Sequence, residues 1–313
     1  MYLARDFIET KEGLFFAVTL NGMEEGRIIA CLRYTREGDN YHKIPTDEAN
    51  RLLKKHYPRY LYQSSHRDTL LQAVPVDCIR RHFRPRKALQ LLLEQARPDP
   101  VVSKLITLLA LFREHGLESS DFGVTGSLLL GCHGDNSDID LTVHGKPAFQ
   151  QARQALKQLL QAGILTEPDW RETHLRRGCS LSLTEYVWHE RRKFNKAAIE
   201  GTKFDLILVE DILQKPDPRP WRKTGLTTIQ AQITDDSESF STPACYRLDH
   251  PRIKTALSFT ATYIGQAKQG EWVETSGQLE QAPDGALRLI VGASREAPGE
   301  YIKVIQPKGE AYA

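Results

Sequence analysis

Residues 126–141 read Gly126-Ser127-Leu128-Leu129-Leu130-Gly131-Cys132-His133-Gly134-Asp135-Asn136-Ser137-Asp138-Ile139-Asp140-Leu141, and the reading of the whole chain turns on them. The stretch SDIDLTVHG (137–145) predicts a strand ending at Gly145. Residues two apart in a strand point to the same face, so Asp138 and Asp140 should stand side by side. Two such carboxylates repel each other and are costly without a cation. Hard divalent ions such as Mg²⁺ take oxygens of this kind. Gly126-Ser127 falls between the short predicted strand FGVTG and a short helix, where backbone N–H groups and a hydroxyl can hold a phosphate oxygen.

A third carboxylate lies further along. Asp205 sits inside KFDLILVE (203–210), a run that predicts a buried strand. A charge amid Phe, Leu, Ile and Val is rarely left unpaired. If that strand lies beside 138–143, three carboxylates converge, which suits a two-metal site clamping an attacking and a leaving oxygen.

The segments around these strands alternate. VSKLITLLALFREHG (102–116), PAFQQARQALKQLLQAG (147–163) and LTEYVWHERRKFNKAAIEG (183–201) predict helices, with Pro147 opening the second and Gly116 and Gly163 closing the first two. This gives an α/β (α+β) unit with a small sheet over 99–215, which the resemblance named below implies to be mixed. Before it, FFAVTL and RIIACLRY flank NGMEEG and predict a β-hairpin. Residues 46–95 then take helical spacing, which makes 1–98 a β/α module. ARPDPVV (96–102) and KPDPRPWRK (215–223) read as linkers, and TDDSESFSTP (234–243) as a loop. The tail, within 216–313, shows short strands punctuated by glycines and predicts a small β-barrel or sandwich.

Gly-Ser, ten residues, then Asp-x-Asp, with a later strand Asp, resembles the signature of the DNA polymerase β-like nucleotidyltransferase superfamily. More narrowly, the chain resembles a group of predicted prokaryotic nucleotidyltransferases, with an N-terminal segment like RDFIETKEGLFFAV and a C-terminal one ending like GEYIKV. The resemblance implies that Gly126 and Ser127 bind the β,γ-phosphates of a nucleoside triphosphate. It implies that Asp138, Asp140 and Asp205 hold two Mg²⁺ or Mn²⁺ ions, and that Asp205 helps deprotonate an acceptor hydroxyl. Attack would be in line at the α-phosphorus, with pyrophosphate leaving. The chain departs from the superfamily pattern after Ser127, where Leu128, Leu129 and Leu130 replace the basic or small polar residues common there.

Composition narrows the partners. The 313 residues carry 42 Lys and Arg against 40 Asp and Glu, a net charge of +2, so nucleic-acid affinity must come from patches. The first hundred residues are the most basic part, with 17 positive and 13 negative side chains. Two basic runs have aromatic or His interleaving. The first is Arg80-Arg81-His82-Phe83-Arg84-Pro85-Arg86-Lys87. The second, Trp188–Lys196, puts Arg192, Lys193 and Lys196 at spacings that share one helix face, read as a nucleic-acid contact, as a solvated face, or as compensation for the leucines at the triphosphate. Arg176 and Arg177 form a weaker third cluster. The tail aromatics Tyr246, Tyr263, Trp272 and Tyr301 read first as core and second as stacking platforms. These features favour RNA, such as a tRNA end, as acceptor. Transfer to a protein or small molecule, and a non-catalytic nucleotide-binding regulator, are the rival readings.

Other signals carry less. His66-Arg67-Asp68 and Asp121-Phe122-Gly123 imitate kinase tripeptides, but Ala73 stands where the catalytic loop needs Asn. His133 reads as an exposed loop residue, His144 as a polar strand end, and Cys132 and Cys179 as small buried hydrophobes. Five cysteines without a Cys-x-x-Cys spacing argue against a disulfide framework or zinc knuckle. With no long apolar run, the expectation is a soluble cytoplasmic protein without a membrane partner. Oligomeric state has no signal in the sequence.

Overall fold

The computed structural model describes residues 1–211, 217, 219–292 and 297–305. It is a mixed α+β chain with several sheets and seven α-helices among the described residues. Among those residues no helix is long and apolar enough to cross a membrane. The chain divides into two compact units. The first comprises Met1–Ser64, Thr69–Thr166 and Asn195–Lys215; the second comprises Ser65–Asp68, Glu167–Phe194 and Pro216–Ala313. The boundary expected at 98/99 therefore falls inside the first unit. The linker start expected at Lys215, Pro216 and Pro218 lies outside the described residues.

The first unit opens with a seven-stranded sheet. Its strands are β1 (Phe7–Thr10), β2 (Leu14–Val18), β3 (Arg27–Glu37), β4 (Asn40–Lys43), β5 (Leu61–Ser64), β6 (Thr69–Pro75) and β7 (Ile79–Phe83). They run in the order β5-β6-β3-β2-β1-β7, with β4 on β3. The hairpin expected around NGMEEG forms, β2 pairing antiparallel with β3. Helix α1 (Thr46–His56) buries Ala49 and Leu53 in a cluster with Ile8, Phe16 and Val74. The helical spacing expected throughout 46–95 is corrected between 61 and 83, where β5 to β7 stand. Pro58 and Pro75 bracket much of that stretch, and each lacks the N–H that a helix interior needs. Helical structure returns in α2 (Pro85–Leu93), with Pro85 in its first turn.

The same unit holds α3 (Pro100–Glu114), β8 (Phe122–Val124), α4 (Gly126–Leu130), β9 (Ile139–His144), α5 (Lys146–Gln161), β10 (Lys196–Ile199) and β11 (Thr202–Val209). A second sheet orders its strands β10-β11-β9-β8. β11 runs parallel to β9, while β8 and β10 pair antiparallel with their neighbours. Two contacts explain why the N-terminal sheet belongs to this unit. Leu129 and Leu130 enter a core cluster with Phe7, Phe15 and Tyr34. At Gly123 a Cβ would stand 2.6 Å from the Pro85 carbonyl carbon, so only glycine lets α2 pack this closely on β8.

The second unit contains α6 (Trp170–Arg177) and α7 (Leu183–Arg191). Its strands are β12 (Arg222–Glu238), β13 (Ala244–Asp249), β14 (Ile253–Ser258), β15 (Trp272–Gln281), β16 (Leu287–Val291) and β17 (Tyr301–Val304). The order is β12-β13-β14-β16-β15, and β15 pairs back with β12, so five strands close on themselves, with β17 added to β15. Within this closed barrel, β14 and β16 are parallel. β12 runs through Glu238 and corrects the reading of 234–243 as loop throughout. Ala231 and Ile233 are buried in the barrel core while Gln230 and Thr234 are exposed, the two-residue alternation of a half-buried strand. Tyr246 and Tyr263 pack in that core, as the first reading of the tail aromatics expects, whereas Trp272 is exposed.

Candidate active site

The start of β9, with the residue just before it, and the middle of β11 build the site. Their parallel register sets Asp205 directly beside Asp140, and Asp138 lies two residues earlier on the same side as Asp140. Phe204 and Leu206 on one strand and Ile139 and Leu141 on the other point into the core and fix which face the carboxylates take. Burial together with Asp205 and Asp138 pushes the Asp140 carboxyl up to about 6, against the opposing pull of Arg5 and Lys203. A carboxyl raised in this way, beside two further carboxylates, is the electrostatic setting a divalent ion corrects. The donor types fit a hard cation.

Among the described residues, however, no three acidic, His or Cys side chains are already gathered as a metal site. Asp138 is instead engaged by a cation of the chain, its Oδ2 accepting from Lys203 Nζ at 3.0 Å.

Gly126 and Ser127 open α4 just before the carboxylates in space. Gly126 has φ +66°, and a Cβ there would stand 2.7 Å from Asp140 Oδ2. The turn and the carboxylate therefore meet only because the side chain is absent. Thr125, immediately before, donates through Oγ1 to the Arg5 carbonyl at 2.7 Å. Arg5 itself holds φ +81°, an uncommon conformation for a non-glycine residue. This bond ties the N-terminal segment to the Gly-Ser turn. Leu128, Leu129 and Leu130 are all buried, so these three positions serve packing.

The second basic run is corrected. α7 ends at Arg191, Phe194 takes φ +50°, and the chain continues as β10, so Arg192, Lys193 and Lys196 share no helix face. Glu200 and Gly201, with φ +45° and +75°, make the two-residue turn of a β10–β11 hairpin, a signal the helical reading passed over. Lys196 is buried opposite Asp205 in that hairpin. Arg192 and Lys193 belong to the second unit. There Arg192 pairs with Glu271 and stacks on Trp188. Lys193 is buried, donating to Glu190 at 2.6 Å and to the Thr262 carbonyl at 2.7 Å. Arg176 and Arg177 close α6, and Arg176 lies 3.6 Å from Glu172.

The first basic run spans β7 and the start of α2. Arg80 lies 3.7 Å from Glu9, Arg81 stacks on Phe83, and Arg84 is exposed at the helix entry. Arg86 bonds Asp211 and the Ser120 carbonyl, and Lys87 bonds Gln90. His133 is mostly buried rather than exposed, 2.8 Å from Asp99, the residue that caps α3. His144 is buried as well. Burial holds it below the usual imidazole range against the pull of Asp211, 3.0 Å away. Cys132 and Cys179 are half-buried, and burial raises both thiols.

Sequence reasoning missed Lys203 and Arg5. Lys203 was legible, because it stands two residues before Asp205 on one strand and so shares its face. Arg5 was not, since nothing local ties it to Thr125, 120 residues away. Comparison with known proteins finds the uncharacterized protein MJ1086 of Methanocaldococcus jannaschii. It is 32% identical over 333 aligned positions, which cover 96% of this chain and 98% of that one. No protein-family model matches the chain, and no solved structure matches it.

Proposed function

The chain belongs to the family of that archaeal protein, whose activity is uncharacterized, and on its own carboxylate cluster we propose that it is a metal-dependent nucleotidyltransferase of the polymerase β-like type. The observation that carries this reading is the register of Asp205 beside Asp140, with Asp138 on the same face and Gly126 against it. Asp138, Asp140 and Asp205 would hold two divalent ions. When bound, such ions neutralise charge on the attacking and leaving oxygens of an in-line displacement. Gly126 keeps the turn close to Asp140, and the Ser127 hydroxyl orients the phosphates of a nucleoside triphosphate. Asp205 accepts the proton of the acceptor hydroxyl at a carboxylate oxygen. A nucleoside monophosphate passes to the acceptor and pyrophosphate leaves.

The acceptor we infer is RNA. Arg80 and Arg81 on β7, an edge strand of the N-terminal sheet, and Arg84 just after it present cationic side chains. The five-stranded barrel of the second unit has the Greek-key strand order of the OB type, which binds oligonucleotides. Trp272 offers an exposed ring of the kind bases stack on.

The test is a transfer assay with each labelled NTP, Mg²⁺ or Mn²⁺ and total cellular RNA. Asp138→Ala and Asp140→Ala serve as controls, and products are resolved on RNA and protein gels. Label on RNA that disappears in both variants supports the reading. Label on a protein band moves the acceptor to protein. Full transfer by folded Asp138→Ala would sink the mechanism.

A further inference from the structure

Lys203 stands where two requirements meet. The alternation of β11 places it on the face of Asp205, and its Nζ donates to Asp138 Oδ2 at 3.0 Å. The lysine side chain is only 12% exposed, against 37% for Asp138. A nearly buried ammonium is costly unless it has an anionic partner. Once Asp138 coordinates a divalent cation, like charge drives the ammonium from that oxygen. Asp140 and Asp205 belong to the same set of ligands, so they offer it no replacement. The replacement must then arrive with the substrate. The segment after Ser127 supplies no competing cation, because Leu128, Leu129 and Leu130 are buried. Lys203 and Arg5 both pull against the rise of the Asp140 carboxyl.

We propose that Lys203 is an exchangeable counterion: it holds Asp138 until a divalent cation takes that carboxylate, and its ammonium then binds the phosphates of the incoming nucleoside triphosphate. This rests on the nucleotidyl-transfer reading and adds a residue to it. Two consequences of opposite sign follow. The lysine opposes metal binding and favours triphosphate binding, a pairing that a merely structural residue would not produce.

The test uses the full chain, wild type beside Lys203→Met and Lys203→Arg. Mn²⁺ binding is followed by the electron paramagnetic resonance of the free ion. Binding of ATP, GTP, CTP, UTP and the matching monophosphates is followed by calorimetry at saturating Mn²⁺. Lys203→Met should bind Mn²⁺ about 10-fold more tightly. It should bind the preferred triphosphate roughly 10- to 100-fold more weakly, the loss of one charge-assisted contact. Its monophosphate affinity should stay within about threefold, and Lys203→Arg should restore triphosphate affinity to within about threefold. If Lys203→Met does not fold, Lys203→Gln takes its place with the same thresholds. Unchanged or weaker Mn²⁺ binding in the uncharged variant overturns the proposal, as does unchanged triphosphate binding. If the wild type transfers nucleotides and the uncharged variant matches it throughout, only the role of Lys203 fails. If the wild type binds none of the four triphosphates, the nucleotidyl-transfer reading fails with it.

Discussion

Gly126→Ala separates the backbone from the chemistry. At φ +66° an alanine sits in the left-handed region, where a Cβ costs about 1–2 kcal/mol. In a unit of this size that lowers the melting temperature by roughly 2–8 °C. The new Cβ would also stand 2.7 Å from Asp140 Oδ2, where ordinary contact begins at 3.4 Å. The carboxylate is the free end of a side chain and moves aside, by about 0.7 Å, at little cost to stability. Its displacement breaks the alignment with Asp205. A misplacement of this order in a catalytic constellation costs up to about 10²-fold in rate, or ~2.7 kcal/mol of barrier. Gly131→Ala is the matched control, because its φ is +67° and a Cβ there meets nothing within 4 Å. Melting curves and single-turnover transfer of labelled nucleotide should show similar small losses of stability in both variants. Only Gly126→Ala should lose activity. Equal activity in the two variants would refute the argument that the turn and Asp140 must touch. A far larger melting loss in Gly126→Ala would show that the carboxylate does not yield as reasoned.

Three further outcomes are expected. Because Asp140 is held at about 6 against 3.8, the folded chain binds a proton that the unfolded chain releases. Its stability should therefore fall as pH rises through that window. Asp140→Asn should accordingly melt higher than wild type at pH 7 without divalent ions, and Mg²⁺ should raise the melting temperature of the wild type alone. In the second unit, buried His189 accepts from the Val304 N–H at Nε2 and donates from Nδ1 to the Glu185 carbonyl. Burial pushes it down to about 3 from 6.5, so acid titration should cost stability at up to about 1.4 kcal/mol per pH unit below 6.5. His189→Gln should flatten that slope, and an unaltered slope would count against the assignment. Gly123→Ala should destabilise the first unit by more than about 2 kcal/mol in denaturant titration, since its Cβ meets the backbone of Pro85 and Arg86 rather than a side-chain end. Wild-type stability there would mean that α2 can withdraw from β8 freely.

Much of the candidate site was legible because its signals are local. Asp138 and Asp140 share a face through the period of a strand, and Asp205 stands out as a charge in an apolar run. The hairpin at NGMEEG and the strand-rich tail carried their own turn residues. The failures share a cause too. Residues 61–83 lie between two segments of helical spacing, and only pairing with β1, with β3 and with one another decided them as strands. The run 183–201 looked like one helix because its charges fall at helical spacing, and the Glu200-Gly201 turn was outweighed.

The sequence by itself therefore determined an α+β chain with a Gly-Ser turn, two carboxylates on one strand face and a third on a later strand. Tertiary structure alone decided that the third strand lies parallel and in register beside the first, since sheet order depends on pairings between distant segments. It also decided that Leu128 to Leu130 serve the core, and that Arg192 and Lys193 belong to the second unit. Arg5 came to the carboxylates in the same way. The physical reason is that a side chain's face follows from local period, whereas its neighbours follow from how whole elements bury their apolar sides together.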